Sequence, residues 1–297
     1  MIGVVTGNSQ SGFSCIKALI EHGTGGPKIL AMLRSTDDTA LEKFQAQFPG
    51  AGDLLETVGG IDARVLETLI PAFSKCQSLL IVTPLADDRG ALTRSMIRAA
   101  KASKTVENVV LVSSWTVETK QPTPVEEFGL SEQLGQELFP NHFATLRCGY
   151  FMSNILDHVE PIKAVGKIHL PIDAEAKIAF VDPDDIGYTA AYLLKNPSFE
   201  EVIKIVNVSG PETFSFNEIS KIIGDILGKE VQYVQISLEH AIKFLAEKRG
   251  PQLAQFVKEI VPFVNRGMAM QYPDVFKLTG RKSTVCDYLR SRKHLFQ

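Results

Sequence analysis

The chain has 297 residues, 44% of them hydrophobic, and a formal net charge of −3. This length suffices for one large α/β domain, or for a domain with a smaller lobe. Basic and acidic residues are nearly balanced, 31 against 34, so the chain lacks the positive field that draws proteins to nucleic acids or anionic membranes. We therefore expect neither nucleic acid nor a membrane as a partner.

The cysteines and the apolar runs indicate the compartment. The cysteines are widely spaced, without the spacing of a metal site or redox motif: Cys15, Cys76, Cys148 and Cys286. Buried, reduced thiols are typical of cytosolic proteins. A strand pattern begins at Ile2, which leaves no room for a leader peptide, and no apolar run approaches the roughly 18 residues of a membrane helix. The sequence therefore predicts a cytoplasmic protein.

Strand-like and helical segments alternate along the first half of the chain. Apolar runs predict strands at 2–5, 28–33, 54–60, 78–84, 108–115 and 143–149. Helical periodicity predicts helices at 13–20, 40–48, 62–73, 90–103 and 130–139. Asp62 is the expected N-cap of the third helix. Continuous apolar strands suit a parallel sheet buried on both faces, and repeated βα alternation predicts a doubly wound α/β fold.

The second half is less regular. Its predicted elements are strands at 167–173, 203–210 and 231–237 and helices at 183–196 and 215–228. Ser215 or Asn217 is the expected N-cap of the last helix. Helices dominate after about residue 211. We predict a sheet domain over 1–150, completed by parts of 165–210, and a smaller, mainly helical lobe over 211–297 to which 151–165 contribute.

A loop of small residues joins the first strand to the first helix: Thr6, Gly7, Asn8, Ser9, Gln10, Ser11, Gly12 and then Phe13. A helix N-terminus offers N–H groups and the positive end of the helix dipole, which suit a pyrophosphate. Close approach of phosphates needs small residues and some positive φ angles, which Gly7, Gly12 and Asn8 tolerate. Asn8, Ser9 and Ser11 add side-chain donors. Because Gln10 replaces the middle glycine of the dinucleotide pattern, an ordinary strand–helix connection remains the alternative.

The residues after the second strand indicate which dinucleotide such a loop would hold. Arg34 follows that strand directly, at the position that faces the adenosine ribose in a doubly wound fold. An acid there accepts from the 2′-OH of NAD, whereas an arginine suits the 2′-phosphate of NADP. Asp37 lies further along, and Ser35 and Thr36 add donors. NADP(H) is therefore favoured over NAD(H), the alternative for Arg34 being a solvated surface side chain.

These stretches resemble the NmrA-like family, atypical short-chain dehydrogenases/reductases with an NAD(P)-binding Rossmann domain. "VTGNSQSGF" (5–13) resembles the family's "TGATGxxG" start with one position deleted, and "LETVGGIDARVL" (55–66) resembles "VxGDxxDxxxL". The second match has Gly60 where an aspartate usually contacts adenine. The resemblance implies a dinucleotide site that continues from the loop and from Arg34 and Ser35 along further strand ends, at Gly60, Ile61, Thr83, Pro84 and Ser113.

Later segments carry the more specific part of the resemblance. "LRCGYFMSN" (146–154) looks like "LRxGxFxxN", and "FVDPDDIG" (180–187) looks like "fvxvxDIG". Residues 206–237 are similar to the family's "GPexlsxxEla…lGkxv" block, and 277–296 to its closing segment. The four segments occur in the family's order, so the resemblance extends over nearly the whole chain.

The chemistry of classical short-chain reductases is not evident in this sequence. They use Tyr-x-x-x-Lys with a serine, where the tyrosine protonates the carbonyl oxygen. No tyrosine here has a lysine four residues on, and the helix expected to carry the pair, "EEFGLSEQLGQELF", has neither.

The resemblance leaves Ser113, Ser114 and Tyr150 as candidate catalytic donors and Tyr150, Phe151 and Asn154 as candidate substrate residues. Alternatively the serines cap a strand end, Tyr150 is core, and Asn154 caps a helix. Glu132 and Gln133 belong to the helix that would face the site, but a solvated helix face is the default expectation for them.

Two functions are compatible with these residues. One is an NADPH-dependent reductase of a small, quinone-like electrophile, because an electron-poor acceptor needs little help from a proton donor. The alternative is a non-catalytic NADP(H) sensor that regulates a protein partner. A third possibility is that the altered loop and Gly60 have abolished cofactor binding. The six histidines show no ligand spacing, so no metal site is expected. Substrate identity and oligomeric state are not predicted.

Overall fold

The computed structural model describes residues 1–21, 26–84, 86, 88–119, 124–196, 204–266 and 271–297. The chain divides into two compact units that are interleaved along the sequence. The first unit comprises Met1–Cys148 and Pro183–Asn207, and the second comprises Gly149–Asp182 and Val208–Gln297. The domain boundaries at 150 and 211 stay a prediction.

The strands, in chain order, are β1 (Ile2–Val5), β2 (Ile29–Met32), β3 (Leu55–Val58), β4 (Ser78–Val82), β5 (Asn108–Ser114), β6 (Phe143–Cys148), β7 (Tyr150–Phe151), β8 (Lys167–Leu170), β9 (Ile178–Val181), β10 (Ile205–Val208), β11 (Thr213–Phe214) and β12 (Gln232–Gln235). The α-helices are α1 (Gln10–Glu21), α2 (Asp38–Gln45), α3 (Leu66–Phe73), α4 (Arg89–Ala102), α5 (Pro124–Leu138), α6 (Val159–Val165), α7 (Pro183–Lys195), α8 (Phe216–Leu227), α9 (Leu238–Lys248), α10 (Pro251–Val264), α11 (Asp274–Thr279) and α12 (Val285–Ser291). Every strand expected from the sequence is present within the described residues, although Ile203 lies outside them.

Seven of the described strands form one sheet, in the order β10-β6-β5-β4-β1-β2-β3. The pairings from β6 to β3 are parallel. Every residue of β1, β2 and β4 is buried, as parallel strands covered on both faces require. The predicted doubly wound parallel sheet is confirmed. The strand order reverses at β1, so the carboxyl ends of β1 and its neighbours form the edge where doubly wound sheets bind ligands.

Close packing fixes the helices on both faces of this sheet. The hydrophobic cluster under α3 and α4 includes Phe73, Leu79 and Ile97, all fully buried. On α7, a Cβ at Gly187 would lie 2.4 Å from the backbone carbon of Ser14 on α1. Two helices approach this closely only where a side chain is absent. The first unit therefore holds the ends of its strands and helices in fixed positions.

The second unit contains smaller sheets and the C-terminal helices. Strand β9 lies between β11 and β7, and β12 pairs with β8 in parallel. The rings of Tyr150, Phe180, Phe216 and Tyr233 contact one another in a chain with centroid separations of 5.4–6.0 Å. Ser215, rather than Asn217, caps α8 through a capping box with Glu218.

Asp62 does not cap α3. The helix begins at Leu66, and its N-cap position is Val65, which has an extended backbone. Asp62 instead stabilises the preceding turn, since its Oδ1 accepts from the Arg64 N–H at 2.9 Å and its carbonyl accepts from the Val65 N–H at 2.9 Å. The prediction was wrong because an Asx turn and a helix N-cap use the same side-chain geometry.

Candidate functional site

The β1–α1 loop (residues 6–9) is a tight turn that delivers the first turn of α1 to the edge of the sheet. The Ser9 N–H donates to the Thr6 carbonyl at 2.9 Å, and the Gly7 N–H donates to the Met32 carbonyl at 3.0 Å. Ser9 is the N-cap of α1, because its Oγ accepts from the Gly12 N–H at 3.1 Å. The turn therefore ties the amino end of α1 to both β1 and β2.

The backbone of this loop differs from the sequence-based expectation. Positive φ was expected at Gly7, Asn8 or Gly12, but the left-handed residue is Thr6, with φ of 58°. The glycines serve a different purpose: a Cβ at Gly12 would lie 2.6 Å from the Thr6 carbonyl oxygen and 3.1 Å from the Cα of Gly7. Gly12 is therefore needed for space within the turn, independently of any ligand.

The side chains of the loop and of the first turn of α1 divide into exposed and buried ones. Asn8 and Gln10 are exposed and border the amino end of α1, whereas Ser11 is buried, with 3% of its surface accessible. Phe13 packs its ring against Phe48 at a centroid distance of 4.5 Å. Asn8 and Gln10 thus lie on the solvent-exposed side of the loop and first helical turn, whereas Ser11 is buried and Phe13 packs against Phe48.

The segments after β2 and β3 are hydrogen-bonded to each other. The Gly60 N–H donates to the Ser35 carbonyl at 2.9 Å, and the Ile61 N–H donates to the Leu33 carbonyl at 3.0 Å. Gly60 has a φ of 72°, which favours glycine at this turn. Ser35, Gly60 and Ile61, which the sequence assigns to the adenosine end of a cofactor, are therefore brought together.

Arg34 projects from this pair of turns. It is exposed and lies two residues beyond the end of β2. The nearest acid in sequence, Asp37, is the N-cap of α2 and accepts from the Thr39 N–H at 3.0 Å. A carboxylate used in this way has less capacity to accept from a ribose hydroxyl. Arg34 therefore places an exposed cation just beyond β2, and Asp37 and Asp38 follow it at the start of α2.

The end of β4 is tied to β5. The Thr83 hydroxyl donates to the Val112 carbonyl at 3.1 Å, and the Thr93 hydroxyl of α4, which donates to the Arg89 carbonyl at 2.8 Å, lies 3.4 Å from the Thr83 oxygen. Pro84 follows and is half-buried. The Thr83 hydroxyl proton is therefore directed towards β5.

The end of β5 carries a buried polar network. The Ser113 hydroxyl donates to Glu132 Oε1 on α5 at 2.7 Å. Glu132 also receives the Arg147 guanidinium of β6, with Nη2 to Oε2 at 2.7 Å and Nε to both oxygens at 3.2 Å. Ser113 and Arg147 are cross-strand partners. Only 5% of Ser113 and 4% of Glu132 is exposed, so the expectation of a solvated helix face is wrong for Glu132 and correct only for exposed Gln133.

Ser114 faces a different environment. Its Oγ accepts from the Thr116 hydroxyl at 2.8 Å and from the Thr116 N–H at 3.3 Å. These bonds terminate β5 and begin the short 3₁₀ turn after it, as in the strand-capping alternative. Ser114 is half-buried. Its catalytic assignment stays a prediction.

Tyr150, Phe151 and Asn154 belong to the second unit. Tyr150 is half-buried and its ring lies edge-on to those of Phe180 and Phe216. Burial raises the pKa of Tyr150 above its usual range, the Asp157 carboxylate adds to the rise, and the hydrogen bond with Asn154 acts in the opposite direction. A raised pKa makes a phenol a poorer acid. The geometry therefore gives Tyr150 a polar contact with Asn154 but does not favour it as a proton donor.

Metal-ligating side chains do not converge in the described part of the chain, where no group of three or more His, Cys, Asp and Glu residues could hold an ion. His22 lies outside that part. Among the same residues, no helix is both long and apolar enough to cross a membrane.

Comparison with known proteins places this architecture. A model described as the NmrA-like family matches residues 1–271. The chain belongs to the NmrA-like family. An NAD(P)H azoreductase of Xenophilus azovorans is 26% identical to this NmrA-like chain over 246 residues, which cover 82% of this chain and 84% of that protein. The resemblance inferred from the sequence motifs is confirmed.

Solved structures reproduce the fold of this NmrA-like chain over its whole length. The Citrobacter sp. triphenylmethane reductase complexed with NADP(H) superimposes with a TM-score of 0.81 at 18% identity, covering 98% of this chain and 99% of that one. The NADPH-dependent quinone oxidoreductase of Escherichia coli, complexed with NADPH, gives a TM-score of 0.79 at 19% identity over 100% of both chains. At these identities the likeness establishes the fold.

Sequence reasoning about this NmrA-like chain missed the Glu132–Arg147 pair. Glu132 lies on an amphipathic helix and Arg147 near the end of a strand, and each alone is typical of a surface residue. A signal was available in their neighbours: Ser131 and Gly135 flank Glu132 on α5, and small residues mark a helix face that packs closely. A Cβ at Gly135 would lie only 2.0 Å from the Phe143 ring.

Proposed function

We propose that this chain is an NAD(P)H-dependent reductase of a small, electron-poor acceptor such as a quinone or a conjugated dye, with a preference for NADPH. The observation that carries the proposal is the edge formed by the carboxyl ends of β1, β2 and β3. There the amino end of α1, the exposed Arg34 and the Ser35–Gly60 turn lie side by side on neighbouring parallel strands.

From one strand to the next across this edge, the residues fit successive parts of NADP(H). The first turn of α1, bordered by exposed Asn8 and Gln10, suits the pyrophosphate. Arg34 supplies a cation for the 2′-phosphate. The backbone at Gly60 and Ile61 offers a surface for the adenine. On the other side of β1, the ends of β4 and β5 would face the nicotinamide half.

The bound cofactor would supply a hydride, and the chain's own contribution is orientation and exclusion of water. Helix α5 has neither tyrosine nor lysine, so the proton-donating pair of classical short-chain reductases is missing. A ketone, which needs a proton as its oxygen becomes negative, is therefore a poor substrate. An acceptor that stabilises the added electrons by conjugation is a better one.

Similar proteins support this class of substrate. The azoreductase that is 26% identical to this chain uses NAD(P)H. The two structural neighbours are a reductase of triphenylmethane dyes and a quinone oxidoreductase, complexed with NADP(H) and NADPH respectively. Azo compounds, triphenylmethane dyes and quinones are all conjugated electron acceptors.

A spectrophotometric assay tests the proposal. The purified protein is mixed with NADPH or NADH and with a panel of p-quinones, azo dyes, triarylmethane dyes and simple ketones. We expect consumption of NADPH with at least one conjugated acceptor, slower consumption of NADH, and none with the ketones. Unchanged NADPH absorbance with every acceptor, under conditions where calorimetry shows that NADPH binds, would contradict the reductase.

The absence of the Tyr–Lys pair from α5 also favours a second candidate, a non-catalytic NADP(H) sensor that controls a protein partner. A sensor must bind its partner differently with and without cofactor, or with NADPH and NADP⁺. Partner capture in the presence of each nucleotide separates the two functions. A binding partner whose affinity changes with the nucleotide, together with no turnover of any acceptor, supports the sensor.

A further inference from the structure

The network of Ser113, Glu132 and Arg147 fixes the direction of a proton. Glu132 accepts from Arg147 through both of its oxygens, and a guanidinium is always protonated in proteins. An ion-paired carboxylate has lone pairs and no proton to give. In the 2.7 Å contact between Ser113 Oγ and Glu132 Oε1, the serine must therefore be the donor.

This direction determines what Ser113 can offer to a ligand. A hydroxyl has one proton and two lone pairs, and the Ser113 proton is directed towards α5. What remains for a ligand at the end of β5 is an oxygen acceptor. Ser113 is then unsuited to stabilise a developing negative charge on a substrate oxygen, contrary to its sequence-based assignment as a donor.

The position of Ser113 limits which ligand group can meet it. Strand β5 lies two strands from β1, on the side opposite to β2 and Arg34, and two strand spacings amount to about 10 Å. If the adenosine half of a dinucleotide extends towards Arg34 from a pyrophosphate at α1, the nicotinamide half extends towards β4 and β5. That half ends in a carboxamide, whose N–H₂ is a hydrogen-bond donor.

We propose that Glu132 and Arg147 are positioning residues that turn the Ser113 proton inward, so that Ser113 accepts a hydrogen bond from an N–H or O–H donor of the bound ligand. The inference rests on the proposed function and deepens it. The donor has two possible sources, the nicotinamide carboxamide of the cofactor and a hydroxyl of the reduced product. Either group would donate the same kind of hydrogen bond to the Ser113 oxygen, and binding measurements distinguish the two donors.

The first arm compares NADP⁺ with its 3-acetylpyridine analogue, which keeps the carbonyl oxygen but lacks the N–H₂ donor. Calorimetry gives the dissociation constant of each for the wild type and for Ser113→Ala. We expect the wild type to favour NADP⁺ by about threefold to tenfold, the value of one neutral hydrogen bond. We expect Ser113→Ala to lose that preference.

The second variant, Glu132→Gln, reverses the direction of the proton without removing the serine. Arg147 has only donors, so the glutamine carbonyl must face it, and the glutamine N–H₂ then donates to Ser113. The Ser113 proton is thereby released towards the ligand. The preference for NADP⁺ over the analogue should fall to about one in this variant, and thermal unfolding and circular dichroism establish that it is folded.

The second arm titrates hydroquinone and its dimethyl ether into the NADP⁺ complex. A preference for hydroquinone that Ser113→Ala removes, with the nucleotide pair unaffected, assigns the donor to the product and upholds the inference. Two results would overturn the inference. One is that Ser113→Ala leaves the ratio of dissociation constants unchanged both for NADP⁺ and its analogue and for hydroquinone and its ether. The other is that the wild type binds the analogue or the ether more tightly than NADP⁺ or hydroquinone. A wild type that binds no nicotinamide nucleotide contradicts the proposed function instead.

Discussion

The Cβ position of Gly12 lies 2.6 Å from the carbonyl oxygen of Thr6. Even the smallest side chain at residue 12 would therefore collide with the backbone of the β1–α1 loop itself. A bulky side chain at residue 12 would distort this loop even in the absence of a cofactor. The contact separates the structural requirement for this glycine from its role in phosphate binding.

The first prediction follows from this contact. Gly12→Ala should lower the free energy of unfolding by about 1–3 kcal/mol in the absence of any nucleotide, the usual cost of overpacking. Gly50→Ala is the matched control, because no atom lies within 4 Å of its Cβ position, and it should leave stability unchanged or slightly raised. Urea denaturation of both variants measures the difference. Equal free energies of unfolding for Gly12→Ala and Gly50→Ala would show that the loop accommodates a methyl group at residue 12 without strain.

The second prediction concerns Thr6. A β-branched residue with φ of 58° is strained. Asparagine tolerates this conformation better, so Thr6→Asn should raise the free energy of unfolding by about 0.5–1 kcal/mol. Thr6→Val keeps the branching and the strain, and it should bring no gain. A Thr6→Asn variant that is no more stable than Thr6→Val would argue against strain at this residue.

The third prediction concerns cofactor preference. Arg34→Ala should weaken NADPH binding by about 1–3 kcal/mol through loss of charge-assisted hydrogen bonds to the 2′-phosphate, and NADH binding should barely change. Arg98→Ala removes an exposed arginine from α4 and controls for the loss of net charge. Calorimetric titration with both nucleotides measures the effect. Equal weakening for NADPH and NADH would remove Arg34 from the phosphate role.

The fourth prediction concerns acid stability in the second unit. Burial lowers the pKa of His158 from 6.5 to about 4; the Asp157 carboxylate opposes this shift and His169 adds to it. Between these pH values the unfolded chain binds a proton that the folded chain rejects. Stability is therefore lost as the pH falls below about 6.5, by roughly 2 kcal/mol at pH 5.

Replacement of His158 isolates this contribution. His158→Asn should lose less stability than the wild type between pH 8 and pH 5, by about the same 2 kcal/mol, in denaturant unfolding at each pH. His240→Gln, at an exposed position on α9, should behave like the wild type. If His158→Asn and the wild type show the same pH dependence, His158 titrates normally in the folded protein.

The sequence predicted the parallel sheet because each of its strands is a short apolar run, as in Ser78–Val82 and Asn108–Ser114, separated by helical periodicity. It also predicted which strand ends carry small or polar residues. It did not predict the left-handed Thr6, because threonine is an unusual residue there and the choice depends on how the turn meets β2. Local propensity carries no information about such tertiary constraints.

The Ser113–Glu132–Arg147 network was also beyond the sequence. Its members are 15 to 34 residues apart and belong to a strand, a helix and the next strand. Only the parallel pairing of β5 with β6 brings Arg147 opposite Ser113. A buried ion pair is recognisable once the register is known, whereas the pattern of each segment indicates only helix or strand.

Hydrogen exchange shows whether a nicotinamide dinucleotide lies across the carboxyl ends of β1, β2 and β3. Amide exchange is followed by mass spectrometry for the free protein and with saturating NADPH or NADH. We expect slower exchange at 7–13, 34–35 and 59–61 with NADPH, and weaker protection at 34–35 with NADH. Unchanged exchange in all three segments with saturating NADPH would contradict it.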